Sequence, residues 1–420
     1  MTVANHHAAH PAQPGSRRFA SLDGYRAVAA LAVVVTHVGF QTAHTVNGPL
    51  GSLVARLDIG VALFFLLSGF LLYLPHARAA TMGARRPATG AYLWRRALRV
   101  MPAYWLAVTA ALLLVRGNEQ ARVDPSAWLR QLTLTQVYTE DGLAPGLTQM
   151  WSLCVEVSFY LALPLLAALS TARHRGDPRR SAQGQVLVLI GFGALAWAWQ
   201  LWVRSGGGPE AQLSTLWLPA YLDWFALGMG FAVLHTYLHS VAPTSWARVA
   251  RLAADAAQTP WACWAIAAGL YLVVSTPLAG PLSLDTPTPS EALARHILYG
   301  LIASLLLLPG FLEVPGGPTR LLASPPLRWL GTISYGIFLY HLVVLDLVFA
   351  AQNRPYFIGG FWAVLVPTVT VTVGVSAISW YALEKRVLRL KSRGPGRPRP
   401  SHALETPGAA RRTHMRVQQP

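Results

Sequence analysis

The chain has 420 residues, of which 53% are hydrophobic and 12% are charged, and its formal net charge is +17. Soluble domains carry about 25% charged residues, so this composition excludes an ordinary water-soluble protein and indicates a multi-pass protein of the cell membrane. The basic residues lie mostly in loops between apolar runs. That distribution is typical of topology signals in membrane proteins and argues against a nucleic-acid partner. The two cysteines lie in apolar runs and lack disulfide or metal-site spacing.

Apolar runs of about 20 residues, the length that crosses a bilayer, recur along the chain. We predict an all-α, polytopic helix bundle with about ten transmembrane helices and both termini in the cytoplasm. Arginine-rich loops alternate with arginine-poor loops, which supports this topology. The predicted spans are 22–40, 57–75, 100–115, 151–169, 185–203, 214–234, 260–276, 294–312, 330–350 and 358–382.

Composition divides the chain into three segments. Residues 1–20 are polar and are predicted to be a disordered tail, and residues 21–384 are predicted to form the membrane domain. Residues 385–420 are basic and rich in proline and glycine, so we predict a second disordered, cytoplasmic tail. No small-residue cleavage site follows the first apolar run, and we expect that run to remain as an anchor.

The first predicted span carries the ionisable residues Asp23, Arg26 and His37. Such groups cost several kcal/mol in hydrocarbon, so they usually face a bundle interior and have a function there. Arg26 and His37 are eleven residues apart, which puts them on one helix face and about 16 Å apart along the axis. A desolvated imidazole is neutral and suited to remove a proton from a hydroxyl. The alternative is a histidine that is only a hydrogen-bonded structural residue.

Arg96 and Arg99 lie three residues apart at the predicted cytoplasmic mouth of the third span and share a helix face. They either anchor the helix end or, with Arg26, bind the phosphates of a ligand, because arginine pairs with phosphate through two parallel hydrogen bonds. Glu156 is an intramembrane carboxylate in the fourth span, and Tyr160 follows one turn later as a hydrogen-bond donor. We expect Glu156 at a depth comparable to that of His37.

Three further polar positions interrupt the apolar runs. Asp223 and His341 fit structural or rim positions better than catalytic ones, and Ser68 fits small-residue helix packing.

The motifs taken together resemble the acyltransferase 3 family of integral membrane O-acyltransferases. Each motif alone is unspecific, but all five occur in order and cover nearly all of the apolar part of the chain. They are LDGYRAVAALAVVVTH (Leu22–His37), FFLLSGFLL (Phe64–Leu72), RRALRVMPAYW (Arg95–Trp105), WSLCVEVSFY (Trp151–Tyr160) and SYGIFLYHL (Ser334–Leu342).

This resemblance implies transfer of an acyl group, often acetyl, from cytoplasmic acyl-CoA to a hydroxyl of a sugar, a cell-envelope glycan, a glycolipid or a glycosylated natural product such as a macrolide. Acyl-CoA is then a co-substrate, and no bound cofactor or metal is expected. The resemblance implies His37 as general base, with Glu156 orienting it or stabilising its imidazolium. It also implies that Arg26, Arg96 and Arg99 bind the acyl-CoA phosphates. Candidate supporting residues, chosen because they are polar groups in or beside the apolar runs, are Asp23, Tyr160, Asp223 and His341.

Three positions depart from the family pattern. Ala62 stands where many members have aspartate, Tyr221 precedes Asp223 where many have arginine, and Lys385 follows Glu384 where proline is common. The residues alone also fit a different class, a proton-coupled secondary transporter of a small anionic or glycosidic solute. The sequence lacks the paired helix-breaking segments that many transporters have in their two halves.

Overall fold

The structure is a computed structural model that describes residues 19–140, 142–171, 177–207, 211–240, 247–282 and 286–393. Every regular element in these ranges is helical, so the predicted all-α bundle is confirmed. The long helices, α1 to α11, are Ala20–Gln41, Gly60–Met82, Thr89–Leu114, Met150–Thr171, Pro178–Arg204, Leu222–Leu238, Ala247–Ala257, Pro260–Val274, Pro289–Phe311, Pro325–Ala351 and Phe361–Ser379.

Short helical segments join the long helices. They are His44–Asn47, Gly51–Ala55, Arg56–Ile59, Glu119–Val123, Pro125–Leu132, Gln136–Tyr138, Ala211–Ser214, Leu218–Tyr221, Pro277–Ala279, Gly317–Leu322, Trp380–Glu384, Lys385–Val387 and Leu388–Arg393.

Eight helices among the described residues are long and apolar enough to cross a membrane: α1 to α5 and α9 to α11, of which α2 and α11 are extended by their neighbouring short segments. Helices α7 and α8 would together form a ninth span, but they are bent by 89° where they meet. The remaining predicted span, 214–234, falls on α6, which has 17 residues. That length is at the lower limit for crossing the hydrocarbon core.

Helices α1 and α10 contact each other near both of their ends. At the end predicted to be cytoplasmic, Gly331 of α10 packs directly against the backbone of Asp23 in α1. At the other end, the Phe357 amide after α10 donates a 2.7 Å hydrogen bond to the Gln41 carbonyl of α1. Helices α1 and α10 are therefore fixed to each other at both ends.

Helices α2 and α6 approach each other closely through glycine. A Cβ at Gly228 of α6 would lie 2.1 Å from the Leu66 carbonyl oxygen, and one at Gly69 of α2 would lie 2.3 Å from the Phe225 carbonyl oxygen. Small residues let helix backbones touch in this way, and van der Waals contact is a main source of helix association in lipid. The contact fixes the height of α2, which carries part of the site described below.

The chain continues after α11 through a π-helical turn, Trp380–Glu384, and two further helical turns that end at Arg393. The Trp94 indole donates a 3.3 Å hydrogen bond to the Leu390 carbonyl. The tail predicted to be disordered from residue 385 therefore begins with ordered helical turns. Residues 394–420, and the predicted N-terminal tail up to residue 18, lie outside the described residues.

We expect Gly228→Ala to destabilise the protein by about 1–3 kcal/mol, because the added methyl group overpacks a rigid backbone contact. The matched control is Gly230→Ala two residues along the same helix, where a Cβ would meet nothing within 4 Å. Thermal unfolding of the purified protein in detergent measures the difference. Equal melting temperatures for the two variants would show that the α2–α6 contact is looser than described.

Candidate active site

A polar cavity lies among α1, α2, α3, α4 and α10, and each of the five sequence motifs contributes to it. Its lining includes Arg26, Ser68, Arg96, Glu156 and Tyr335, one or more from each motif. The cavity has a volume of about 80 Å³. That space holds several water molecules but not a nucleotide. The packing of distant sequence motifs around one cavity is the main structural reason to place the site here.

Arg99 is held in the cavity wall by an ion pair and two aromatic rings. Its Nη1 lies 3.5 Å from Oε2 of Glu384, whose side chain is 4% exposed. The guanidinium carbon also lies 5.1 Å from the Trp380 ring centroid and 5.7 Å from that of Tyr335, both within cation–π range. Lys385 follows Glu384 where the family pattern often has proline, but Glu384 is nevertheless the carboxylate that forms the ion pair with Arg99.

Arg96 and Arg26 add two more cations to the same cavity. The Arg96 guanidinium lies 5.9 Å from the centroid of the Tyr160 ring. Its Nε is buried and has no hydrogen-bond partner in the described part of the chain. Both charges are close enough to repel Arg99 electrostatically. Because a buried donor without a partner costs about 1–3 kcal/mol, this arrangement favours an anionic ligand.

Glu156 is held by two hydroxyl groups. Ser68 of α2 and Tyr160 of α4 both donate hydrogen bonds to its Oε1, the latter at 2.6 Å. Oε2 accepts no hydrogen bond from any described residue. The predicted contact between Glu156 and Tyr160 is confirmed, and Ser68 gains a role that small-residue packing did not predict. One carboxylate oxygen is thus fixed while the other remains available in the cavity.

His37 lies against a second histidine. Its Nδ1 is 2.7 Å from the Val33 carbonyl oxygen and 3.3 Å from Nε2 of His341. Nδ1 of His341 lies 2.8 Å from the Phe338 carbonyl oxygen. A carbonyl oxygen only accepts hydrogen bonds, so the geometry indicates that each neutral ring carries its proton on Nδ1. His37 therefore presents an unprotonated Nε2, the atom that a general base needs.

The histidine pair adjoins the cavity without lining it. Phe338 lines the cavity, and its ring centroid is 6.0 Å from that of His341 and 6.1 Å from that of Phe64, another lining residue. The predicted contact between Glu156 and His37 is not formed, because Glu156 bonds to hydroxyl groups and His37 to a carbonyl and to His341. An aromatic pair thus separates the arginines from the imidazoles.

Asp58 is a further, partly buried carboxylate of the bundle that the sequence did not single out. It lies in the short segment Arg56–Ile59 that leads into α2 and accepts a hydrogen bond from the Tyr299 hydroxyl. Asp58 precedes Ala62 by four residues, about one helical turn. Ala62 is the position at which the family resemblance leads to an expected aspartate, and in this chain Asp58 lies in the turn just before α2.

Besides His341, two of the predicted supporting residues, Asp223 and Asp23, lie outside the cavity lining. Asp223 is buried, with Nε2 of His296 at 2.8 Å from one carboxylate oxygen and the Trp197 indole donating to the other at 3.0 Å. It borders a separate, apolar groove between α5 and α6. Asp23 lies in the first turn of α1. The structure therefore unites Arg26, Arg96, Arg99, Glu156 and Tyr160, pairs His37 with His341, and leaves the two aspartates apart.

Residues 19–381 match a family model described as an acyltransferase domain, the acyltransferase 3 model. The chain belongs to the acyltransferase 3 family. It is similar to nodulation protein 10 of Rhizobium leguminosarum bv. viciae, with 24% identity over 356 residues that cover 79% of this chain and 83% of the relative.

The peptidoglycan O-acetyltransferase OatA of Listeria monocytogenes is 24% identical over 348 residues, 79% of this acyltransferase and 50% of the relative. The acyltransferase MdmB of Streptomyces mycarofaciens is 31% identical over 158 residues, 35% of this chain and 39% of the relative. This chain thus spans about half the length of the Listeria protein. No solved structure matches it.

Family membership decides between the two classes that the sequence left open. The protein is a multi-pass membrane acyltransferase, since the acyltransferase family model covers nearly the whole chain. The transporter hypothesis has no comparable support.

We expect Glu384→Gln to lower stability by about 3–5 kcal/mol, the cost of removing one partner of a buried ion pair. The double variant Arg99→Gln/Glu384→Gln should be less unstable than the sum of the two single variants, because the two side chains interact directly. Thermal unfolding in detergent of the wild type, the two single variants and the double variant completes this double-mutant cycle. Arg180→Gln is the control, since Arg180 forms an exposed pair, 71% and 50% exposed, and such pairs contribute about 0–1 kcal/mol. Additivity of the Arg99 and Glu384 variants would contradict the ion pair.

Proposed function

We propose that this acyltransferase takes an acyl group, acetyl in the simplest case, from acyl-CoA on the cytoplasmic side of the cell membrane. The acceptor is a hydroxyl group of a carbohydrate: a cell-envelope glycan, a glycolipid or a glycosylated natural product. The observation that carries the proposal is the convergence of Arg26, Arg96 and Arg99 with Glu156 and Tyr160 in one cavity made by all five motifs. The O-acetyltransferase name of the Listeria relative supports the acceptor class.

The arginines suit the donor. Coenzyme A carries phosphate groups, which arginine binds through charge-assisted hydrogen bonds. Arg99 is already paired with Glu384, so we assign the direct phosphate contacts to Arg96 and Arg26, with Arg99 as a fixed positive charge behind them. Arg26 and His37 are about 16 Å apart along α1, a distance comparable to the length of an extended pantetheine arm.

The reaction needs a base next to the thioester. Nε2 of His37 removes the proton from the acceptor hydroxyl while the hydroxyl oxygen attacks the thioester carbonyl carbon. The carbon–sulfur bond then breaks, the new ester carbon–oxygen bond remains, and the proton passes from His37 to the departing CoA sulfur. His341 accepts a hydrogen bond from the Nδ1–H of His37, as the assigned proton positions indicate, and so holds the tautomer that leaves Nε2 unprotonated.

Glu156 takes a different role from the one expected in the sequence. Because its Oε1 is held by two hydroxyl groups, Oε2 is placed to accept a hydrogen bond from an amide N–H of the pantetheine arm. The acyl end must then pass Phe338, which separates the cavity from His341. Glu156 therefore aligns the donor, and the histidines act on the acceptor.

We expect His37→Ala to abolish acyl transfer without preventing membrane insertion. The measurement is acetyl-CoA consumption by the purified protein in liposomes supplied with peptidoglycan fragments and simple glycosides. His76→Ala in α2 is the control, because His76 belongs neither to the cavity lining nor to the histidine pair. A His37→Ala variant that acylates at the wild-type rate would refute the proposed base.

Arg96→Gln should raise the apparent KM for acetyl-CoA by about 10- to 100-fold, since a hydrogen bond to a charged group contributes about 1.5–3 kcal/mol. Its neighbour Arg95 is exposed and lies outside the cavity lining, so Arg95→Gln should leave KM near the wild-type value. Initial rates at varied acetyl-CoA concentrations separate the two. If both substitutions change KM equally, the effect reflects general surface charge and not a phosphate site.

A further inference from the structure

Another pocket, with both polar and apolar lining, lies at the end of the bundle opposite to the predicted cytoplasmic face. It is formed where α3 ends, where α10 ends and by the connection that follows α10. Its volume of about 660 Å³ falls within the range of small-molecule sites, roughly 300–1,000 Å³. The polar side chains that line it are Arg116, Asp346, Asn353, Arg354 and Tyr356.

The pocket combines groups that suit a sugar ring. The Tyr356 hydroxyl donates a 2.8 Å hydrogen bond to Oδ1 of Asp346, while Oδ2 of Asp346 accepts no hydrogen bond within the described residues. The exposed Tyr356 ring packs on the buried Phe349 ring, with centroids 4.6 Å apart, and offers an apolar surface. Carboxylate, amide and guanidinium groups pair with hydroxyl groups, and aromatic surface can cover the apolar face of a sugar ring.

The connection that closes the pocket holds unusual backbone conformations. Asn353 and Phe357 have φ angles of 46° and 65°. Asparagine adopts this left-handed region more readily than most residues, but it costs a bulky residue such as phenylalanine about 1–3 kcal/mol. Such positions persist where the surroundings enforce them, and they concentrate at ligand sites.

The same connection is tied to the helix that carries the proposed base. The amides of Phe357 and Gly359 donate hydrogen bonds to the carbonyl oxygens of Gln41 and Thr42, at 2.7 and 3.1 Å. Gln41 follows His37 by four residues, about 6 Å along the axis of α1. The pocket is thus attached to the outer end of the helix that carries His37.

Helix α10 connects the three features in order. Phe338 borders the arginine cavity, His341 contacts His37, and Asp346 borders the outer pocket. Phe338 and Asp346 are eight residues apart, about 12 Å along the axis. Along α10 the histidine pair therefore lies between the arginine cavity on one side and the outer pocket on the other.

We propose that the outer pocket binds the sugar ring of the acceptor, with Asp346 and Asn353 bonding to its hydroxyl groups and Tyr356 packing against its face. The proposal rests on the proposed function in one respect, that the acceptor is a carbohydrate. It assigns the donor and the acceptor to separate sites that lie on either side of the histidine pair along α10.

The test is binding of methyl glycosides to the full-length protein in lipid nanodiscs by isothermal titration calorimetry. The probes are the methyl β-glycosides of glucose and N-acetylglucosamine and methyl α-L-rhamnoside. We expect at least one to bind and Asp346→Asn and Asn353→Gly each to weaken its binding tenfold or more. Glycine at position 353 removes the amide but tolerates the positive φ angle, so that variant should keep its fold and its melting temperature.

Glu140→Gln is the matched control, because Glu140 is an exposed carboxylate outside the pocket lining, and its binding should equal that of the wild type. Binding of none of the three glycosides by the wild type overturns the proposal. Equal affinity in the wild type and in both pocket variants also overturns it.

Acetyl-CoA consumption in the same preparations separates this proposal from the proposed function. If the protein binds a glycoside through Asp346 but consumes no acetyl-CoA, the outer pocket is a sugar site and the proposed acyl donor is wrong. If the protein acetylates a glycoside and the acceptor KM is unchanged in both pocket variants, acetyl-CoA is the donor and the outer pocket is not the acceptor site.

Discussion

Guanidinium groups inside a membrane bundle are the constraint on which the site depends. A charged side chain there must be compensated by neighbouring groups, because lipid offers it no hydrogen bonds. Arg99 is compensated by Glu384 and by the faces of Trp380 and Tyr335. Arg96 is compensated only in part, since its Nε has no partner among the described residues. The cavity is therefore best completed by a negatively charged ligand.

Backbone contacts between helices make this arrangement rigid. Gly69 and Gly228 bring α2 and α6 together, and Gly331 brings α10 against α1. The helices that carry Ser68 and His341 are thereby held at fixed heights. Two hydroxyl groups can then bind Glu156, and the imidazole rings of His37 and His341 can stay in hydrogen-bond contact.

The sequence predicted the all-α architecture and most of the cavity because hydropathy and arginine distribution depend on local composition. Arg26, Arg96, Glu156 and Tyr160 were identified through spacing within single helices, and the structure brings them into one cavity. The pairing of His37 with His341, separated by 304 positions, depends on how α1 packs against α10. Such a contact between distant segments leaves no signal in the periodicity of either helix.

The π-helical turn Trp380–Glu384 determines how the end of the chain is oriented. A π turn contains an extra residue compared with an α turn, and one residue corresponds to a rotation of about 100°. Every side chain after the turn is rotated relative to an uninterrupted α-helix. The orientation of Glu384 toward Arg99 therefore depends on a local change of helical register. A comparison of sequences that extends the α-helical periodicity of α11 through this turn would assign Glu384 and the basic residues after it to the wrong faces.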